Sequence, residues 1–130
     1  MKKPIVLTKE FEFDAAHYLE NYEGDCANLH GHRYKLAVSI LGYVNEEKYL
    51  AIDFKDLKRI SKELIIDRLD HQNLNEVLDF NTSCENIVYW IWETLENEFV
   101  KYDCKLYEVK LWETPDSYAV LNHQIMNEGI

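Results

Sequence analysis

Two stretches of strict period-two alternation, each with a histidine on its apolar side, constrain this chain more than any other feature. In the first, Phe11, Phe13, Ala15 and His17 share one face while Glu10, Glu12 and Asp14 share the other. That is the pattern of a half-buried strand. In the second, His32, Tyr34, Leu36, Val38 and Ile40 alternate with Arg33, Lys35 and Ser39, and the run closes at Gly42. Residues 21–28 between them carry turn chemistry in Gly24, Asp25 and Asn28, and read as a loop. His17 and His32 therefore both lie on the apolar faces of their strands.

The loop runs into Cys26-Ala27-Asn28-Leu29-His30-Gly31-His32. Histidines one residue apart in extended chain project to the same side, roughly 6.5 to 7 Å apart along it, so His30 and His32 converge. With His17 from the neighbouring strand they make three neutral nitrogen donors, the ligand set of a catalytic zinc ion whose fourth position is open to substrate. Cys26 sits beside that position as base or nucleophile. The competing reading makes the histidines satisfied polar residues of a hairpin and Cys26 ordinary filling. Three of the five histidines and one of the three cysteines fall within sixteen residues, and that concentration favours the metal.

At 130 residues the chain has room for one domain with a real core, taken as residues 1–130. A formal charge of -10 argues against a nucleic-acid surface, because phosphate binding needs a net basic face. A small molecule is the expected partner. The start, Met1-Lys2-Lys3-Pro4 and a brief apolar Ile5-Val6-Leu7, lacks the apolar run of a signal peptide, and nothing later reaches membrane-spanning length. Cys26, Cys84 and Cys104 are an odd set without paired spacing, which suits free thiols in a reducing compartment. A cytoplasmic protein is expected.

Past Gly42 the period changes. Phe54, Leu57, Ile60, Leu64, Ile65 and Leu69 recur at three and four, predicting an amphipathic helix over residues 53–69 with Asp53 as N-cap. Thr82-Ser83-Cys84-Glu85 has the spacing of a capping box, and Ile87, Val88, Ile91, Leu95 and Phe99 supply the buried stripe of a second helix. Two strands close the chain. Tyr107, Val109, Leu111 and Glu113 share a face of the first; the second runs from about residue 117 to 123. The order ββααββ predicts an α+β architecture, an antiparallel four-stranded sheet with two helices on one face. Its open edges would be exposed, and assembly is the natural remedy.

Two further places carry chemistry. In Leu69-Asp70-His71-Gln72-Asn73-Leu74-Asn75 the helix ends, and an aspartate there is not explained by the helix dipole. An aspartate that orients an imidazole makes a proton-handling pair; alternatively Asp70 and His71 are solvated surface beside a polar turn. Glu113, in Lys110-Leu111-Trp112-Glu113-Thr114-Pro115, holds the apolar-facing parity, where a carboxylate is costly unless paired. A heterocycle with adjacent ring N–H and amino donors would satisfy both its oxygens. In the alternative reading the strand end leaves it in water. Glu85 is fully explained by the capping box.

Taken together, Cys26-x3-His30-Gly31-His32, Phe13-Asp14-Ala15-Ala16-His17, Leu69-Asp70-His71-x2-Leu74 and Trp112-Glu113-Thr114 resemble the 6-pyruvoyl-tetrahydropterin synthase superfamily. Within it they resemble most the bacterial branch that serves queuosine synthesis, the 6-carboxy-5,6,7,8-tetrahydropterin synthases. The likeness runs from His17 to about Tyr118. It implies the tunnelling fold (T-fold), in which subunits join their sheets into a barrel as homo-oligomers, trimers or hexamers. It implies Zn2+ on His17, His30 and His32, Cys26 as catalytic thiol, and Asp70 with His71 as its proton-relay partners. Glu113 would anchor the pterin ring and Glu85 would be a second pterin contact; the position before that glutamate is often a small hydroxyl residue in the family and here is Cys84. The implied substrate is 7,8-dihydroneopterin triphosphate, converted to 6-carboxytetrahydropterin with loss of triphosphate and acetaldehyde. The sister activity, 6-pyruvoyl-tetrahydropterin synthesis, eliminates triphosphate without cleaving carbon from carbon. The three-residue gap between Cys26 and His30 resembles the bacterial branch. A zinc-stabilised binding module without turnover is the alternative of another class.

Overall fold

The structure is a computed structural model that describes residues 2–129, so the expected domain over 1–130 extends one residue past it at either end. The two alternating runs form β1 (Pro4–His17) and β2 (His30–Tyr43), paired antiparallel along their whole length from Pro4 opposite Tyr43 to His17 opposite His30. β2 pairs with β4 (Lys105–Thr114), and β4 with β5 (Ser117–Asn122). The sheet has five strands rather than four. Gln72–Asn73 adds a two-residue β3 parallel to β1 at Ala15 and Ala16, giving a mixed sheet in the order β3-β1-β2-β4-β5.

Asp53 caps α1 (Phe54–Ser61) by accepting from the Lys55 N–H at 2.9 Å. The helix continues through a π-turn, Lys62–Ile66, into the short α2 (Asp67–Leu69). The extra residue in the wide turn shifts the stripe, so Ile65 and Ile66 are both buried; Phe54, expected in the core, is exposed at the first position of α1. After β3 come α3 (Leu74–Val77) and α4 (Cys84–Leu95). The expected capping box is displaced by one residue. Ser83 is the N-cap, accepting from the Asn86 N–H, and Thr82 is pulled out of that role because its side chain is fully buried.

Core packing follows the parity of the strands. Phe13 and Ala15 of β1, Tyr34, Leu36, Val38 and Ile40 of β2, Val109 and Leu111 of β4 and Leu121 of β5 are buried together with Leu57, Leu69, Ile87, Ile91, Trp92, Leu95 and Phe99. Tyr107 breaks the expected face. The β2–β4 register shifts at Ser39/Ile40, and the bulge brings Leu106 inward, leaving Tyr107 exposed. The last strand also stops short of the sequence reading: Asn122 caps α5 (His123–Glu128), so His123 begins a helix.

Candidate metal centre and active site

β1 ends and β2 begins at the same edge of the molecule, and their pairing sets His17 opposite His30. His32 lies two residues along β2 on the same face. The three rings meet at centroid distances of 4.7 Å (His17–His30), 5.3 Å (His17–His32) and 4.8 Å (His30–His32). One ligand nitrogen from each lies within 4.8 Å of the others. Tyr34, stacked on Phe13 at 4.9 Å, presents edge-on contacts to His17 and His32 and forms the floor beneath them.

Backbone carbonyls fix the rings. His17 Nδ1 donates to the Thr82 carbonyl at 2.7 Å, and His30 Nδ1 donates to the Asn28 carbonyl at 2.7 Å. A carbonyl can only accept, so each neutral imidazole carries its proton on Nδ1 and turns a bare Nε2 the other way. Such an outer hydrogen bond is how a metal-binding histidine is held in orientation and tautomer. The Nε2 atoms of His17 and His32 are buried without any hydrogen-bond partner among the described residues. Burial holds both rings below the usual imidazole range, with Glu113 pulling the other way. Buried and unpaired nitrogens that lie close together suit a cation with no hydrogen-bonding needs of its own; imidazole donors fit zinc, copper, iron or nickel.

Glu113 stands at this centre. Its Oε2 is 3.8 Å from His17 Nε2 and its Oε1 is 3.9 Å from His32 Nε2, and its side chain is 29% exposed. A register shift between Trp112 and Thr114 leaves Glu113 without a partner in β5, a bulge that re-aims its side chain at the end of the strand.

Asp70 and His71 form a neighbouring cluster with Asp14, fastened to β1 by a reciprocal pair of bonds. The Asp14 N–H donates to Asp70 Oδ1 at 3.0 Å, and the His71 N–H donates to the Asp14 carbonyl at 2.7 Å. Asp70 Oδ1 also receives His71 Nδ1 at 3.0 Å. The Asp14 N–H, and after it His71, hold the Asp70 carboxyl below its usual range. His71 adopts a left-handed backbone, φ 61°, which turns the chain into β3 and leaves its ring largely in solvent. A cleft of about 540 Å³ runs between His71 and His32, and a second, of about 440 Å³, lies between His32, Trp112 and Glu113. Gly31, His32 and Arg33 line both. The two clefts thus meet at His32, while His17 and His30 line neither.

Cys26 sits on a 3-10 turn, Asp25–Ala27, in the β1–β2 loop; its carbonyl accepts from the Leu19 N–H at 2.8 Å. Its half-buried sulfur lies outside the trio of mutually close nitrogens. Glu85 is exposed at the second position of α4 rather than the third, so the capping box that explained it is absent. Cys84 donates its S–H to the Leu111 carbonyl, and burial pushes its thiol up to about 12.

Sequence reading did not single out the residues that hold the site. Thr82 gives its carbonyl to His17, while its hydroxyl reaches Asn75 Oδ1 at 3.1 Å. The Asn75 amide clamps Tyr18 at both N–H and carbonyl, 3.0 Å each. Asn73 caps α3. The polar Asn73–Asn75 pair was the one visible signal, but it pointed to a surface turn. Arg33 binds Asp14 through two nitrogens at 3.1 Å and Glu12 at 3.1 Å, and Lys35 lies 3.4 Å from Glu10.

An α+β chain whose sheet ends in three inward imidazoles with a carboxylate and a shared cleft beside them defines a metalloenzyme-like protein of the tunnelling-fold type. The chain belongs to the 6-pyruvoyl tetrahydropterin synthase family, whose sequence model matches residues 6–124. It is 36% identical to 6-carboxy-5,6,7,8-tetrahydropterin synthase of Haemophilus influenzae, over 87% of this chain and 95% of that protein. It is 37% identical to 6-pyruvoyl tetrahydrobiopterin synthase of Dictyostelium discoideum, over 92% and 97%. The solved Caenorhabditis elegans 6-pyruvoyl tetrahydropterin synthase superposes with a TM-score of 0.82 at 25% identity, over 94% of this chain and 98% of that one.

Proposed function

We propose that the protein is a zinc-dependent 6-carboxy-5,6,7,8-tetrahydropterin synthase, turning 7,8-dihydroneopterin triphosphate into 6-carboxytetrahydropterin with release of triphosphate and acetaldehyde, in the cytoplasm, toward queuosine. The observation that carries the reading is the set of three imidazoles with Nδ1 engaged by carbonyls on His17 and His30 and bare Nε2 atoms buried on His17 and His32.

His17, His30 and His32 would hold the ion. When bound, zinc supplies Lewis-acid stabilisation of negative charge on the substrate side chain. The chain's own groups do the rest. Glu113 accepts the paired ring N–H and amino donors of the pterin and sets its orientation. Glu85, freed of any capping duty, is the second ring contact. Cys26, on the loop between β1 and β2, takes and returns protons at the side-chain carbons. His71, oriented by Asp70, exchanges a proton with oxygen on the leaving part, and its solvent-facing ring allows it to re-equilibrate with water between turnovers. Arg33 and Lys35 are engaged by exposed carboxylates, and cations from a neighbouring subunit of a homo-oligomer would complete the triphosphate contacts.

A second reading, 6-pyruvoyl-tetrahydropterin synthesis, is favoured by the identity to the Dictyostelium enzyme. Incubating zinc-loaded protein with dihydroneopterin triphosphate decides between them: mass spectrometry of the pterin and trapping of acetaldehyde are both positive for the first reading, and acetaldehyde is absent for the second. Cys26→Ala should keep its zinc and lose turnover. Loss of zinc together with unfolding would instead make the cysteine a structural ligand and the protein a binding module.

A further inference from the structure

The Glu113 carboxylate faces His17 Nε2, which has no proton to give it, and His32 Nε2, which is buried without a hydrogen-bond partner among the described residues. A neutral His17 is protonated on Nδ1, where the Thr82 carbonyl takes the hydrogen. Its Nε2 is then a lone pair, and at 3.8 Å the facing carboxylate oxygen is another. Two acceptors opposed in a buried place repel unless positive charge lies between them. The separation is also too long for a hydrogen bond, which for N–H···O spans about 2.7–3.2 Å. It is close to another standard length: in a tetrahedral centre with bonds of about 2.1 Å, neighbouring ligand atoms are about 3.4 Å apart. Both oxygens meet the condition, Oε2 toward His17 and Oε1 toward His32 at 3.9 Å. The bulge at Glu113, unpaired between Trp112 and Thr114, lets the carboxylate turn without disturbing a ladder bond.

We propose that Glu113 is a fourth ligand of the metal in the resting protein, and that the pterin ring, by drawing the same carboxylate into its own N–H donors, opens the coordination position that the substrate side chain needs. The inference rests on the metal and pterin reading above. It gives the centre a closed state without substrate and an open one with it, since one carboxylate cannot serve both partners at once. A ligand that leaves only for the correct ring couples recognition of the ring to readiness of the metal several ångströms away.

The test uses the full chain and a readout other than turnover. Zinc affinity, by competition with a chromogenic chelator, should fall at least tenfold in Glu113→Gln, while thermal unfolding of the metal-free proteins stays alike. In cobalt-substituted protein, 7,8-dihydropterin, which has no side chain to reach the ion, should alter the visible d–d bands of the wild type and leave those of Glu113→Gln unchanged. Equal zinc affinities and matching cobalt spectra in the two proteins overturn the fourth ligand. A ring that binds, by its fluorescence, without changing the wild-type bands overturns the exchange. A ring that fails to bind at all overturns the pterin reading instead, and the affinity comparison still decides whether Glu113 is a ligand.

Discussion

Asp70 holds two donors on one carboxylate oxygen. Its Oδ1 accepts the Asp14 N–H and His71 Nδ1, and through them it holds His71 against β1. Asp70→Ala strands both donors, and because the site is partly open to water the cost should be about 1 kcal/mol. That corresponds to a fall in Tm of a few degrees, with a larger loss of turnover. The sign of the pH effect follows from the direction of the shift. A carboxyl held below its unfolded value of about 3.9 contributes stability that is complete above that pH and is lost as acid protonates the folded form. Melts of wild type and Asp70→Ala should therefore differ at pH 7 and draw together as acid protonates the folded carboxyl; a gap that does not narrow with acid would show that the bonds do not stabilise the fold. The thiols separate in the same way. Cys84, at about 12, stays protonated at pH 8, and Cys104 is buried and likewise raised. Alkylation of the native protein at pH 8 should label Cys26 first by peptide mass spectrometry. Comparable labelling of Cys84 would contradict its burial beneath Leu111.

At the scale of elements, the sequence is most legible where one rule governs many residues. β1 and β2 could be read because burial of one face repeats every second residue over their length, and the same parity put His17 and His32 together. The three-histidine set followed from that alone. Features made by a single residue were not legible. β3 is two residues long, too short for any period, and exists because His71 turns left-handed and hands Gln72 to Ala15. The bulge that swaps Leu106 for Tyr107 leaves no local mark either. Thr82 looked like a cap because its spacing to Glu85 was right; long-range bonds to His17 and Asn75 claimed it, and Ser83 took its place. The π-turn, Lys62–Ile66, is the most informative of these. It inserts one residue between Leu57 and Ile60 on one side and Leu69 and Asp70 on the other. Deleting the exposed Glu63 would relax the wide turn to regular α-helix with both halves nearly in phase, whereas inserting one alanine after Glu63 turns one half by about 100° against the other. Leu69 and Asp70 cannot then keep their places, so the insertion should cost roughly 2–5 kcal/mol, the scale of a displaced large core side chain. Turnover should drop with it. Metal content should persist, because no imidazole of the trio sits on that helix; zinc analysis alongside calorimetry checks both.

For the whole molecule, the open question is what covers the outer edge of β1. β3 pairs with it only at Ala15 and Ala16, and Asp70 and His71 hold the Asp14 backbone, so residues 4–13 have no neighbouring strand on that side among the described residues, and β5 has none at the other end of the sheet. Ile5 and Val6 on β1 and Tyr118 on β5 are exposed as well. A long edge strand with apolar side chains is a template for another strand, and proteins that stay monomeric usually blunt such edges with short strands, lysines or prolines. Here only Pro4 and Lys9 serve that purpose. Joining β1 of one copy to β5 of the next pairs both edges at once, and repeating the step closes a ring. The net charge of -10 per chain opposes this at long range, so the assembly should tighten as salt rises toward physiological strength, where the screening length is about 8 Å. Sedimentation should accordingly give a mass three or six times 15.5 kDa. Val6→Lys, which places a cation on the edge without touching the core, should shift the population toward the single chain while its own unfolding stays cooperative. If turnover draws on cations from a neighbouring subunit, that variant should lose activity as it dissociates, keep its zinc, and recover both mass and activity together at high protein concentration. A variant that sediments as a single chain with undiminished turnover would place every group the reaction needs, including those that hold the triphosphate, within one copy.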